Sequence, residues 1–354
     1  MGASEGDSVD LIIRDDSRCG TDTVGPLTLS WAANSDVGRV RESNEDAASV
    51  RPGKYFVADG MGGHESGEVA SETALRAFDG VVCGGDRTET QTSLIDLLTT
   101  AQQQIDEIDP GAHRRAGTTA TGVVLVTHDD RPHWLVLNIG DSRTYRYAQG
   151  VLEQVTVDHS QVQEFIDAGF ITAEQARTDP RRNVITRALG AGMIAPEADF
   201  YSFPAVAGDV LLMCTDGLTG ELPDGEIEEI LAEMQSPKDA VAALVAGAHA
   251  LGAHDNVTVV MVAVSDAVAE DADGDATVPA ESDGTGPAES AADTTDPAAP
   301  DTAAPDTAEP VAAAPDAAVP DAAVPDTAVP TTGDPADAAP ETAAPDAAAE
   351  DASV

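Results

Sequence analysis

The chain has 354 residues, with 18 basic against 64 acidic residues and a formal net charge of −46. So acidic a polypeptide excludes binding to nucleic acid by bulk attraction, and anionic lipid should repel it. Every Lys and Arg precedes residue 266 and no apolar run approaches the roughly 18 residues of a spanning helix, so one domain plus an acidic tail, with no membrane segment, is expected.

Residues 1–25 show little periodicity and read as a mobile leader; 26–265 read as the folded domain. LTLSWAA, from Leu27, is the first expected strand and YFVAD (55–59) a short buried one. Apolar residues at helical spacing predict helices over 66–82 and 93–108. Strands follow at 118–128, 133–140, 143–149 and 151–157, and turn-like Asp129-Asp130 and Gln149-Gly150 make them antiparallel hairpins. Residues 158–190 break the β pattern with short helical pieces. A strand at 209–216, helices GEIEEILAEM and KDAVAALVAGAHA, and a strand at 256–264 close the domain. Hairpins with paired helices predict an α+β fold, two packed antiparallel sheets with helices on both outer faces. From residue 266 to 354 a five-residue Pro/Asp/Ala unit recurs, too poor in large apolar residues to fold, so a disordered tail is expected.

Three cysteines, Cys19, Cys83 and Cys214, show neither pairing nor metal spacing, and the N-terminus has no apolar signal core. Both suit a reducing, cytoplasmic setting.

The chemistry sits where apolar strands run into acid. YFVADG ends at Asp59, LVLNIGDS at Asp141, VLLMCTDG at Asp216, and DNVTVVMVAV begins with Asp255; Asn44-Glu45-Asp46 adds a further acidic cluster. Asp-Gly after a strand is also an ordinary turn signal, so one such residue says little. Four of them, gathered at one sheet edge, would repel unless a cation relieved them. Carboxylates are hard ligands suited to magnesium, manganese or calcium, and several together can hold two ions and a shared water, the equipment for hydrolysing a phosphate ester. The glycines after Asp59 let backbone approach an ion, so the Gly60 carbonyl is a candidate ligand. His64 is a candidate proton donor or a plain loop residue. Arg41 is a candidate phosphate ligand; Arg143, Arg181, Arg182 and Arg187 serve structure or docking. Other phosphate chemistries are excluded: no Cys is spaced for a cysteine-dependent phosphatase, and no G-x-x-x-x-G-K-[ST], H-E-x-x-H or G-x-S-x-G occurs.

Taken in order, VGRVRESNED, VADGMGGHESGEVAS, GTTATGVVLV, NIGDSRTYRY, the segment around DHS and NVITRALG, CTDGL and HDNVTVV closely resemble the metal-dependent protein phosphatase (PPM) family, the type 2C serine/threonine phosphatases, in bacterial form. The resemblance spans about residues 29–264. It implies a β-sandwich with helices on both faces and a phosphoserine/phosphothreonine phosphatase using two Mn2+ or Mg2+ ions, with a third weaker one. By that likeness Asp59 bridges both ions, Gly60 ligates one by its carbonyl, and Asp216 and Asp255 complete the other. Glu45 and Asp46 resemble water-mediated ligands, Asp141 the holder of the third ion, and Arg41 the phosphate-binding arginine. Residues 158–187, with Asp158, His159 and Arg187, match a mobile flap beside the site. Met61 stands where eukaryotic members carry a His, which leaves the leaving-group acid open between His64 and a bound water. The expected partners are phosphorylated proteins, met by a monomer. A pseudo-phosphatase or a narrow regulator of one partner is the alternative reading.

Overall fold

The computed structural model describes residues 12–62, 65–108 and 115–266, all within one compact unit, Met1–Ala276. His64 and the acidic stretch from 267 onward lie outside the described residues. Strands β1 (Ile12–Ile13), β2 (Asp16–Val24), β3 (Leu27–Asp36), β4 (Ala47–Arg51), β5 (Lys54–Ala58) and β6 (Gly60–Met61) lead into helices α1 (Glu65–Phe78) and α2 (Arg87–Asp106). Strands β7 (Gly117–Thr118), β8 (Ala120–His128), β9 (Arg131–Ile139), β10 (Arg143–Ala148) and β11 (Val151–Gln154) follow, then short helices α3 (Gln161–Asp167) and α4 (Ala173–Ala176). The domain closes with β12 (Leu189–Gly190), β13 (Asp199–Pro204), β14 (Val210–Cys214), α5 (Asp216–Thr219), α6 (Asp224–Ala232), α7 (Pro237–Leu251) and β15 (Val257–Asp266).

Two six-stranded antiparallel sheets, in the orders β1-β4-β5-β8-β9-β13 and β11-β10-β14-β15-β3-β2, stack face to face; a small sheet, β12-β7-β6, sits beside them. Alternation along each strand divides its side chains between layers. Tyr55 and Val57 of β5, Trp134 and Val136 of β9, Leu211 and Met213 of β14, and Val260 and Val262 of β15 fill the space between the sheets. The other face of the first sheet (Phe56, Leu135, Leu137) packs on Leu75, Phe78, Leu94 and Leu98 of α1 and α2. Leu212, Cys214 and Met261 on the second sheet pack on Leu218, Ile227, Leu244 and Ala248 of α5, α6 and α7. The result is the expected four-layer helix–sheet–sheet–helix arrangement. Both hairpin turns have two residues at positive φ, Asp129 and Asp130 in one, Gln149 and Gly150 in the other, the backbone that matches strand twist.

The expected mobile leader is corrected within its described part. Residues 16–24 form a full-length edge strand, paired residue by residue with β3 through the Gly25-Pro26 turn. The strand carries few large apolar residues, so alternation was faint; its burial nevertheless alternates, because one face lies on the domain. Gly20 lies on the Trp31 ring, where a Cβ would come within 2.7 Å of a ring carbon, and the Trp31 indole donates to Asp22 (2.8 Å).

Candidate active site

Antiparallel pairing brings the acidic strand ends to one edge of the sandwich. Asp59 follows β5 and Asp46 precedes β4, and the register Ala47–Ala58 makes them neighbours. On the second sheet, Cys214 pairs with Val259, which brings Asp216 close to Asp255 just ahead of β15. Asp141, in the connection from β9 to β10, joins them through the pairing of Arg143 with Cys214.

The backbone at these positions is fixed locally. The Asp59 N–H donates to Thr119 Oγ1 (3.0 Å), and its carbonyl accepts from the Thr119 N–H (2.9 Å) and Thr118 Oγ1 (2.9 Å). Gly60 is buried, and a Cβ there would strike the carbonyl of Gly67 at the start of α1. Asp216 opens α5, and Gly217 packs so tightly on the Asn256 carbonyl that no side chain fits.

Five carboxyls, Asp46, Asp59, Asp141, Asp216 and Asp255, lie within electrostatic reach of one another here. Asp46 is almost wholly buried and accepts from Thr215 Oγ1 at 2.7 Å. Burial, with Asp216 and Asp255 nearby, lifts it to about 7, although hydroxyl donation from Thr215 and Thr258 pulls the other way. Burial and Asp255 raise Asp216 to about 6, while a hydrogen bond with Asp59 opposes the rise. Asp59 lies well above the carboxylate range, first through burial, then through Asp46, Asp216, Asp141 and Asp255. Asp141 is likewise well raised, by burial and then by Asp216 and Asp158, and its Oδ1 is buried with no hydrogen-bond partner.

Arg41 is the cation of this cleft, with one guanidinium nitrogen 2.6 Å from Asp255 Oδ2. Partial burial pulls its pKa down, but Asp255, Asp59 and Glu45 outweigh that and hold it above the usual value. Glu45 is half-buried; its N–H donates to Asn256 Oδ1 (2.9 Å) and its carboxyl lies against Gly67 of α1.

The residues expected on the flap form two anchors. Arg143 grips Asp158 with both Nε (2.9 Å) and a terminal nitrogen (2.7 Å) and donates to the Tyr145 hydroxyl (2.9 Å). Buried His159 accepts from the Gly140 N–H through Nδ1 (3.1 Å), so its Nε2 carries the proton toward Asp199 (3.1 Å). Burial lowers its pKa, though Asp199 opposes this. Arg187 reaches the same Asp199 at 3.1 Å. Arg181 turns away to Asp179 and to the Phe165 ring.

Several supporting residues escaped the sequence reading. The side-chain amide of Asn256 donates to the carbonyls of Val37 (2.9 Å) and Ser43 (3.0 Å), which fastens the Arg41 loop to the strand behind Asp255. Arg14 donates to the Asp46 carbonyl (2.8 Å), Glu68 (2.8 Å) and Ser71 (3.0 Å); Asn44, already singled out beside Glu45, donates to Asp15 (2.9 Å). The signal for Asn256 was its place beside Asp255; Arg14, far away in sequence, gave none.

Among the described residues, no three Asp, Glu, His or Cys side chains are gathered tightly enough to cage an ion unaided. The donor set still fits divalent cations. Magnesium-type ions use one or two carboxylates, carbonyls and water rather than an all-carboxylate cage. Raised carboxyls and the unpartnered Asp141 oxygen mark negative charge that a cation would relieve.

The family model described as Protein phosphatase 2C matches residues 39–244. The serine/threonine phosphatase stp of Listeria innocua is 35% identical over 246 residues, covering 64% of this chain and 93% of that one. PstP of Mycobacterium tuberculosis is 37% identical over 245 residues, covering 68% of this chain and 46% of that protein. Among solved structures, the PstP catalytic domain in complex with 2 manganese ions superposes with a TM-score of 0.59 at 34% identity, over 68% of this chain and all of that one. The family-model match over more than half the length places the chain in the protein phosphatase 2C family.

Proposed function

We propose that this chain is a metal-dependent phosphatase that removes phosphate from phosphoserine and phosphothreonine in proteins, with Mn2+ or Mg2+ held at the acidic edge. The observation carrying this is the meeting of Asp59, Asp216, Asp255 and Asp141 across the two sheets with Arg41 among them. Asp59, the Gly60 carbonyl, Asp216 and Asp255 would hold two ions, Glu45 and Asp46 would support them, and Asp141 would offer a third, weaker position. When bound, such cations supply an acidified water and positive charge for the phosphate oxygens.

The chain's own residues do the rest. Arg41 exchanges its Asp255 partner for the dianionic ester and aligns it through paired N–H donors. Asn256 holds the loop that carries Arg41 at its working position. No side-chain nucleophile is called for: Cys214 is buried with its thiol pushed up by burial, and Cys83 is raised likewise. His64 or a water protonates the leaving alkoxide. The remaining reading is of a cytoplasmic monomer without nucleic-acid or membrane partners. The net charge of −46 supports its nucleic-acid part; among the described residues, no helix is long and apolar enough to cross a membrane.

Hydrolysis of p-nitrophenyl phosphate and of a phosphothreonine peptide should require added Mn2+ and stop with a chelator. Asp59→Asn and Asp216→Asn should each lower turnover roughly 1,000-fold with the circular dichroism spectrum retained. Near wild-type turnover in either variant would remove the assignment.

A further inference from the structure

The flap is tied to the element that carries Asp216. Arg177, at the end of α4, donates to the carbonyl of Thr219 (3.0 Å) and reaches those of Gly220 and Glu221 (3.5 Å each). Thr219 is the last residue of α5, Gly220 its C-cap and Glu221 the residue after, so the guanidinium complements the helix end. The helix is a single turn, and Asp216 is its first residue. Its turn is closed by the Gly220 N–H on the Asp216 carbonyl (2.6 Å), so the end Arg177 grips is bonded directly to the residue that bears the carboxyl. At the other end, Thr215 makes no side-chain cap: its hydroxyl donates to Asp46 and accepts from the Thr258 N–H. Leu218 anchors the inner side in the core, and Gly217 is wedged on Asn256. The outer end is held from the flap.

A cavity of about 380 Å3 lies between flap and body. Its walls include Arg177, Val162 and Ile166 on the flap side and Asp141, Asp216 and Pro223 on the other. The same arginine therefore seats the roof of this cavity and steadies the carboxyl on its floor.

We propose that Arg177 is a positioning residue that couples the seating of the flap to cation binding at Asp216. The coupling rests on the reading above that Asp216 holds a divalent ion. With the flap seated, the α5 turn presents Asp216 in place. With Arg177 withdrawn, the turn frays from its C-terminal end and the carboxyl is less well placed. Linkage makes the effect reciprocal: a cation at Asp216 favours the seated flap by the factor by which the seated flap favours the cation.

The test uses the full chain as wild type, Arg177→Ala and Arg177→Lys. Mn2+ affinity is measured by titration calorimetry. Flap seating is read from chymotrypsin cleavage at Phe170, which is 75% exposed at the turn between α3 and α4, with and without Mn2+. In the wild type Mn2+ should slow cleavage about fivefold; Arg177→Ala should lose that protection and bind Mn2+ about fivefold more weakly. Arg177→Lys, which keeps a cationic donor, should recover part of both. Wild-type Mn2+ affinity in Arg177→Ala, or equal Mn2+ protection of its flap, would overturn the coupling, as would a lysine variant no better than alanine. A wild type that bound no Mn2+ would instead overturn the two-ion reading beneath it.

Discussion

At the scale of single residues, the site is a set of acids held in the wrong charge state for isolation. Asp46 at about 7 and Asp216 at about 6 lie above the ordinary aspartate value of 3.8. The folded protein therefore binds protons more tightly than the unfolded chain. A raised carboxyl destabilises the fold above its folded pKa, and the penalty fades as pH falls through that value toward the unfolded one. The cation-free protein should melt at higher temperature as pH is lowered from 8 to about 5.5. Saturating Mn2+ should cancel the penalty and reverse the trend, because protons then compete with ions for the same oxygens. Scanning fluorimetry across this range, with and without Mn2+, checks both slopes; a cation-free melting point that fell steadily with pH would contradict the burial argument. Much at this scale was legible. Asp59, Asp141, Asp216 and Asp255 were findable because each ends or begins an apolar run, a pattern that sheet geometry turns into proximity. Thr118, Thr119, Thr215 and Arg14 were not, because hydrogen bonds across 30 or more residues leave no periodic trace.

At the scale of elements, strand pairing set what could be read. Central strands such as β8, β9 and β15, apolar on both faces, were plain in the sequence. Edge strands were not: β2 and β13 show one half-covered face and mixed polarity. Helix α2 begins at Arg87, six residues earlier than the apolar spacing suggested, because Asp86 caps it by accepting from the N–H groups of Thr88 and Glu89. The edge strands matter to the site. Arg14, in the connection from β1 to β2, is only 13% exposed at its side chain and ties that edge to α1 and to the Asp46 backbone. Its replacement by alanine strands part of that bonding, and should cost about 2 kcal/mol. Chemical denaturation of Arg14→Ala measures the loss, and a parallel Mn2+ titration should show weakened affinity. A change in stability near zero would make the N-terminal strands an ornament of the domain.

Over the whole molecule, the basic residues are confined to one part of the chain. The family match ends at residue 244 and the last described strand at Asp266, while the final 89 residues carry no Lys or Arg. Deleting 267–354 should leave hydrolysis of p-nitrophenyl phosphate unchanged within about twofold, since no cleft residue is removed. A larger fall would place the acidic stretch in the catalytic cycle.

The proposed ligands do not all ride on one sheet. Asp46 and Asp59 extend from the first, Asp216, Asp255 and the Arg41 loop from the second, and Asp141 lies in the connection between them. The side chains between the sheets consequently act as a spacer that sets the gap across which bound ions would be shared. Trp134, fully buried, and Tyr55, ring centroids 6.3 Å apart, are the thickest part of that spacer. Trp134→Phe, made in the packing between the sheets, should let the layers settle closer and shift Mn2+ affinity by more than its loss of stability alone explains. In this architecture a remote hydrophobic residue can calibrate a metal.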